Sequence, residues 1–268
     1  MEPENKSSIF VRNYLPIIIV CALCLLISYI AGPNRYLQRI FLLVILWAAA
    51  SSAFNIISGY GGQVVFGYMM FLGTGSYTTV FLFKFLGVSP WIGMWGGAII
   101  AAIIAFFIGL PTLRLEGAYF AVATVAFPLI AIPIINHLGY EEVSIPFVGH
   151  GAEAMQFRDM RFYVLIGVVL LALILILIRM MERSRFGYSL KAIKQNPTAA
   201  EGMGIDTQNT KLMAFMLSAA LGSVVGTIYA FGVLYLLSTR SAFGLFIIVR
   251  ILSISCYSKI GPLQTQSR

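Results

Sequence analysis

Charge is scarce in this sequence. Asp, Glu, Lys and Arg make up 10% of its 268 residues, where a soluble domain carries roughly 25%. A water-soluble globule needs more polar surface than that, so the class is excluded. Intrinsic disorder is excluded as well, because 59% of the chain is hydrophobic and disordered chains are polar and charged. Cysteine is nearly absent. Three thiols cannot build a disulfide framework. Cys21 and Cys24 sit at spacing i, i+3 inside an apolar run, where they read as small packing residues. Two histidines, His137 and His150, form no cluster, and structural zinc wants four ligands, so no metal site is expected. No Gly-Lys pair occurs anywhere, which excludes the phosphate loop of an ATPase within the chain. No His, Asp, Ser or Cys constellation suggests catalysis, so the chain does not read as an enzyme.

What the sequence has is long apolar runs, such as Val164 to Ile178. A spanning helix needs about 20 residues. A transmembrane barrel would alternate over ~10-residue segments, and these runs do not. The fold class is therefore all-α: a single polytopic helical membrane domain over residues 1–268, with about seven to eight membrane segments. The expected spans are about 15–31, 40–57, 91–110, 118–135, 162–178 and 212–237, with a weaker run at 243–254. One further segment, 64–86, carries Gly67, Gly73 and Gly75 and reads as broken or re-entrant. Pro128 and Pro133 fall inside the span 118–135, where proline is expected to kink it. The opening residues, with Lys6 and Arg12, read as a signal anchor that stays attached.

The net charge of +8 does not imply nucleic acid. Lys and Arg collect in cytoplasmic loops of membrane proteins. The loop 179–211 is the most basic and is expected in the cytoplasm, and the loop 136–161 outside. Counting back through the spans puts the N-terminus inside. Arg35 and Arg39 then fall outside, against the bias.

Two spans place small residues at every fourth position. They are Gly93, Gly97, Ala101, Ala105 and Gly109 in one, and Ala214, Ser218, Gly222, Gly226 and Ala230 in the other. A four-residue step keeps each series near one helix face and predicts close helix approach.

The basic loop is the most informative stretch. Residues 179–194 read as an amphipathic continuation of the preceding span, with Phe186, Leu190 and Ile193 on one face. Asn196 suits an N-cap and Pro197 the first helical position. Gly202 or Gly204 suits the helix end. Two readings of this short helix stay open on shape alone: a helix lying on lipid headgroups, or a docking knob for a cytoplasmic partner.

The residues themselves resemble a known family. Ala199-Ala200-Glu201-Gly202-Met203-Gly204-Ile205 is similar to the Ala-Ala-Glu-Ala-x-Gly-Ile coupling segment of branched-chain amino acid ABC-importer permeases of the LivM-like type. Asn55-Ile56-Ile57-Ser58-Gly59-Tyr60-Gly61-Gly62-Gln63, with Gly67, Phe71, Gly73, Gly75 and Tyr77, looks like that family's glycine-rich block. Leu113-Arg114-Leu115, with Gly117, Tyr119, Phe120, Ala121 and Thr124, resembles a further block. Arg183-Ser184-Arg185-Phe186-Gly187 with Lys191-Ala192-Ile193 resembles the lead-in to the coupling segment. Order and spacing agree from about residue 40 to 240.

The resemblance implies a permease subunit in a bacterial inner membrane that imports branched-chain amino acids. It implies two cytoplasmic ATPase subunits holding ATP and Mg, a second permease subunit, and a periplasmic or lipid-anchored solute-binding protein. Ala199, Ala200, Glu201 and Gly204 would make the ATPase contact, with Lys191 and Lys194 helping by charge. Asn55, Gln63, Tyr68, Tyr77 and Thr124, polar groups at membrane depth, are candidates for lining the pathway, with helix–helix hydrogen bonding as the alternative. Gly59, Gly62, Gly67, Gly73 and Gly75 read as structural glycines. The sequence also departs from the family. Val65 and Tyr68 stand where Ser and His are frequent, so the lining is less polar. The outer loop has Tyr140-Glu141-Glu142 in place of a Thr-Gly-Gly run. The match fades after Phe243-Gly244-Leu245, and the tail 246–268 is divergent or truncated. Import of urea, an amide or another small solute, an ATPase-independent channel or secondary transporter, and an inactive truncated permease remain the competing readings.

Overall fold

The computed structural model describes residues 34–115, 117–140, 142–146, 151, 153–233 and 235–237, together with most of 15–28. The chain is a polytopic helical membrane protein. Its helices are α1 (Ile17–Leu26), α2 (Arg35–Asn55), α3 (Met69–Leu86), α4 (Pro90–Thr112), α5 (Ala118–His137), α6 (Met160–Glu182), α7 (Arg185–Gln195), α8 (Pro197–Gly202) and α9 (Thr207–Val233). Two three-residue strands, β1 (Glu142–Ser144) and β2 (Tyr235–Leu237), pair antiparallel and join the loop after α5 to the end of α9. The last expected span therefore stops at Val233 rather than running as helix to 237.

Among the described residues six segments are long and apolar enough to cross a membrane, fewer than the seven to eight expected. Ile17–Leu26 is the continuously described part of a further apolar helix, and the weak run 243–254 lies outside the described residues. Both prolines of α5 lie within one continuous helix, Ala118–His137.

α9 is the packing axis, with α3, α4 and α2 against it. Both small-residue series are buried along their whole length, as the four-residue step predicts. A methyl group built on Gly226 would stand 2.0 Å from the Leu72 carbonyl oxygen, and one on Gly75 2.1 Å from the Ser223 carbonyl oxygen. Backbones this close leave no room for a side chain. Hydrogen bonds cross the same contacts. Ser76 Oγ donates to the Gly226 carbonyl (2.7 Å), the Thr79 and Thr227 hydroxyls are hydrogen-bonded to each other (2.9 Å), and Ser218 Oγ donates to the Ala53 carbonyl (2.7 Å). Each such bond between membrane helices contributes about 0.6 kcal/mol.

The glycine-interrupted segment is broken, but not where Gly73 and Gly75 stand. α3 passes through both without a break, and Gly75 serves close approach to α9, not flexibility. The break precedes them. α2 ends in a π-helical turn, Ile56–Tyr60, the chain runs irregularly through 61–65, and a 3₁₀ turn, Phe66–Tyr68, opens α3.

α7 is not a continuation of α6. The chain turns at Arg183–Ser184, and Ser184 caps α7 by accepting from the Gly187 N–H (3.3 Å). Gly187 makes the turn possible, since a methyl group there would lie 2.3 Å from the Met181 carbonyl oxygen. The expected apolar face is present, with Leu190 and Ile193 buried and Phe186 half-buried.

Candidate functional site

The site is built from the break before α3 and from the helices beneath it. Phe66 N–H donates to Thr124 Oγ1 (3.1 Å), and Thr124 is two turns into α5. Tyr68 hydroxyl donates to the Ser218 carbonyl (2.8 Å), about 16 Å along α9 at 1.5 Å per residue. The first turn of α3 thus begins well inside the bundle, and residues 62–65 climb to it without regular structure. Irregular backbone at membrane depth persists only where protein covers it or a cavity receives it. Here there is a cavity: a cleft of about 360 Å³ with Gly62, Gln63, Val64 and Phe66 on one side and Gly117, Ala121 and Val122 of the α5 entrance on the other. That volume falls in the roughly 300–1,000 Å³ range of small-molecule sites. Its lining residues carry no charge.

The five polar candidates do not gather in one place. Gln63 lines the cleft. Thr124 is buried behind it, donating to the Ala121 carbonyl (2.7 Å) while accepting from Phe66. Tyr68 is buried against α9, and Tyr77 donates to the Tyr140 carbonyl (3.3 Å) from further along α3. Asn55 is half-buried and folds over Gly59, where an added methyl group would meet its Oδ1 at 1.9 Å. Three of these groups are thus engaged in contacts between segments. Of the glycines, Gly62 has a left-handed φ of +72°. Gly67 sits against the Thr124 carbonyl oxygen, 2.0 Å from an added methyl group.

Beside the cleft lies the α7–α8 unit. Asn196 ends α7 and starts α8: its N–H donates to the Ala192 carbonyl (3.1 Å), and its Oδ1 accepts from Ala199 N–H (3.1 Å). Pro197 takes the first helical position, as expected. At the other end Gly204 adopts φ +83°. Gly204 N–H donates to the Glu201 carbonyl (2.9 Å) and Ile205 N–H to the Ala200 carbonyl (3.1 Å), the paired closure of a Schellman motif. Ala200 is fully buried, while Ala199, Glu201, Met203 and Gly204 are exposed. Glu201 is also tied to α9, accepting from Thr207 Oγ1 (2.5 Å).

Half-buried Lys191 and exposed Lys194 each touch other parts of the chain. Lys191 pairs with Glu182 at 2.8 Å and stands over the Tyr60 ring, 5.7 Å from its centre. The Lys194 stem packs on Gly62, its Cγ 3.2 Å from where a methyl group would be. Glu182 also takes Arg179 at 2.8 Å. Glu182 and Tyr60 had no place among the sequence candidates. The only signal for Glu182 is its i, i+3 spacing from Arg179.

A family model described as the branched-chain amino acid transport system permease component matches residues 36–257. The chain belongs to that family. The match continues past Leu245, where the resemblance read from the residues fades. The high-affinity branched-chain amino acid transport system permease protein LivM of Escherichia coli is 25% identical over 236 residues, covering 77% of this chain and 56% of that protein. The probable branched-chain amino acid transport permease protein LivH of Methanocaldococcus jannaschii is 29% identical over 171 residues, 59% of this chain and 53% of its own. The nucleoside ABC transporter permease protein NupC of Lactococcus lactis is 23% identical over 214 residues, 66% of this chain and 61% of its own. The chain spans about half the length of the curated relatives it matches. No solved structure matches it.

Proposed function

We propose that this chain is the membrane-spanning permease subunit of an ATP-driven importer for branched-chain amino acids in a bacterial inner membrane. Two separate ATPase subunits, holding ATP and Mg, dock on the α7–α8 end, which faces the cytoplasm together with the N-terminus. A second permease subunit completes the pathway, and a solute-binding protein delivers substrate to the opposite end. Ala199, Glu201 and Gly204 present the docking surface. Gln63 faces the moving solute.

The observation that carries this reading is α8. Six residues would not stay helical alone, yet α8 is capped at its start, closed at its end, anchored by buried Ala200 and otherwise exposed. A helix so fixed and so exposed is built to bear on something. It is joined to α7, whose Lys194 stem packs on Gly62 of a cleft whose apolar walls and single amide suit a small solute with an aliphatic side chain.

The test is a pull-down from the native membrane in mild detergent, with mass spectrometry of what is recovered. The reading expects ATPase subunits and a second permease, lost in Glu201→Arg. Recovery of the chain alone, where those partners are present, contradicts it. The similarity to a nucleoside permease supports a second reading, the same machinery carrying another small solute. Competition of labelled leucine by unlabelled amino acids and by nucleosides separates the two.

A further inference from the structure

We propose that Lys191 and Lys194 act inside the chain rather than on a partner. They tie α7 to the irregular segment that walls the cleft, so that a displacement of α8 moves that wall directly. Glu182 is the positioning residue that holds Lys191 in place. This inference rests on the importer reading and names the path by which the docking surface would reach the cleft.

The path has no loose joint. α8 and α7 share Asn196, which ends one helix with its backbone and starts the other with its side chain. α7 cannot roll freely, because Gly187, Leu190 and Ile193 are buried. Gly187, Lys191 and Lys194 follow at i, i+4 and i+7, so both lysines lie at the edge of the buried stripe, Lys191 half-buried and Lys194 exposed beyond its stem. There they meet Tyr60, which closes the π-helical turn, and Gly62, which lies within the irregular segment. Gln63 and Val64, the next two residues, are cleft wall. The contacts run unbroken from α8 to the solute's side of the protein.

Glu182 fixes the arrangement from below. It is the last residue of α6, its side chain about three-quarters buried, and both carboxylate oxygens are used, one by Arg179 and one by Lys191. Without it the Lys191 ammonium loses the anion that holds it over Tyr60. A flexible lysine stem is then free to swing to solvent.

The experiment uses the assembled transporter in lipid nanodiscs, with Cys21, Cys24 and Cys256 changed to alanine. Val64→Cys reports on the cleft wall through its rate of alkylation by a maleimide, with and without ATP. The expected result is an ATP-dependent change in rate that falls by about threefold or more in Glu182→Gln and in Lys191→Met, while the amount of ATPase captured stays the same. Tyr60→Phe keeps the response, because the ring remains, and Tyr60→Leu lowers it. A full ATP response in Glu182→Gln and Lys191→Met overturns the proposal. So does loss of ATPase capture in Lys191→Met, which would place that lysine on the docking surface. Absence of any ATPase from the parent assembly sinks the importer reading first and the transmission path with it.

Discussion

Gly62 and Lys194 touch so closely that a methyl group on the glycine would stand 3.2 Å from the lysine Cγ. This is where α7 meets the broken segment. The glycine is required twice over. Its φ of +72° is one that residues with a side chain adopt at a cost of about 1–2 kcal/mol, and a lysine stem occupies the space beside it. Gly62→Ala is therefore expected to lower the thermal unfolding temperature of the detergent-solubilised protein and to depress uptake. Lys194→Ala on its own should lower uptake with little change in unfolding temperature. Equal unfolding temperatures for the glycine and alanine proteins would contradict the assignment.

The contact between α3 and α9 gives a second expectation. At Gly226 an added methyl group would lie 2.0 Å from a backbone oxygen of Leu72, and a backbone cannot step aside as a flexible side chain can. Gly226→Ala should destabilise the bundle by about 1–3 kcal/mol, the usual cost of overpacking. By contrast Gly96→Ala, where the nearest atom would be 3.7 Å away, should be nearly neutral. Chemical denaturation in mixed micelles compares the two, and indistinguishable midpoints would count against this packing.

Asn196 is the third test. Replacing a helix N-cap by alanine costs about 1 kcal/mol, and for a six-residue helix that is enough to fray it. Asn196→Ala should raise hydrogen exchange at Ala199, whose N–H loses its acceptor, and Asn196→Asp should preserve protection. Exchange that is unchanged in the alanine variant would show that α8 does not depend on this cap.

Glu201 serves two partners on this account, and they can be separated. It accepts from Thr207 Oγ1 inside the chain, and it is proposed to face an ATPase. Thr207→Val removes the internal contact alone and should leave ATPase capture intact. Glu201→Arg should abolish capture. If Thr207→Val abolishes capture as well, the carboxylate is acting through the fold and not at the interface.

Much of this fold is written in the sequence because membrane helices obey strong local constraints. The four-residue glycine and alanine series locate the buried faces of α4 and α9, since a small residue records that a neighbour's backbone is close. Asn196, Pro197 and Gly204 announce both ends of α8 because caps are local chemistry. Ser184 is equally local but sits between two stretches that share one amphipathic pattern, so the turn at Arg183–Ser184 is hidden within it. Gly75 misleads for the reason that Gly226 informs. The same residue type permits close approach or a break, and only the partner helix decides which. The cleft is the least legible feature. Gln63 meets Gly117, Ala121 and Val122 across more than fifty positions of sequence, and no spacing rule carries that distance. Tyr68 and Thr124 are polar at depth, which fits a pathway lining or helix–helix hydrogen bonding alike, and the fold engages both in contacts between segments.

The central claim is that this chain moves a solute through the membrane on power supplied from α8. The most direct measurement is uptake of labelled leucine into proteoliposomes holding the chain with the ATPase and permease subunits recovered beside it. The account predicts accumulation above the external concentration, dependent on ATP at the α8 side and abolished by Glu201→Arg. Leucine that merely equilibrates, at the same rate with and without ATP, would contradict it.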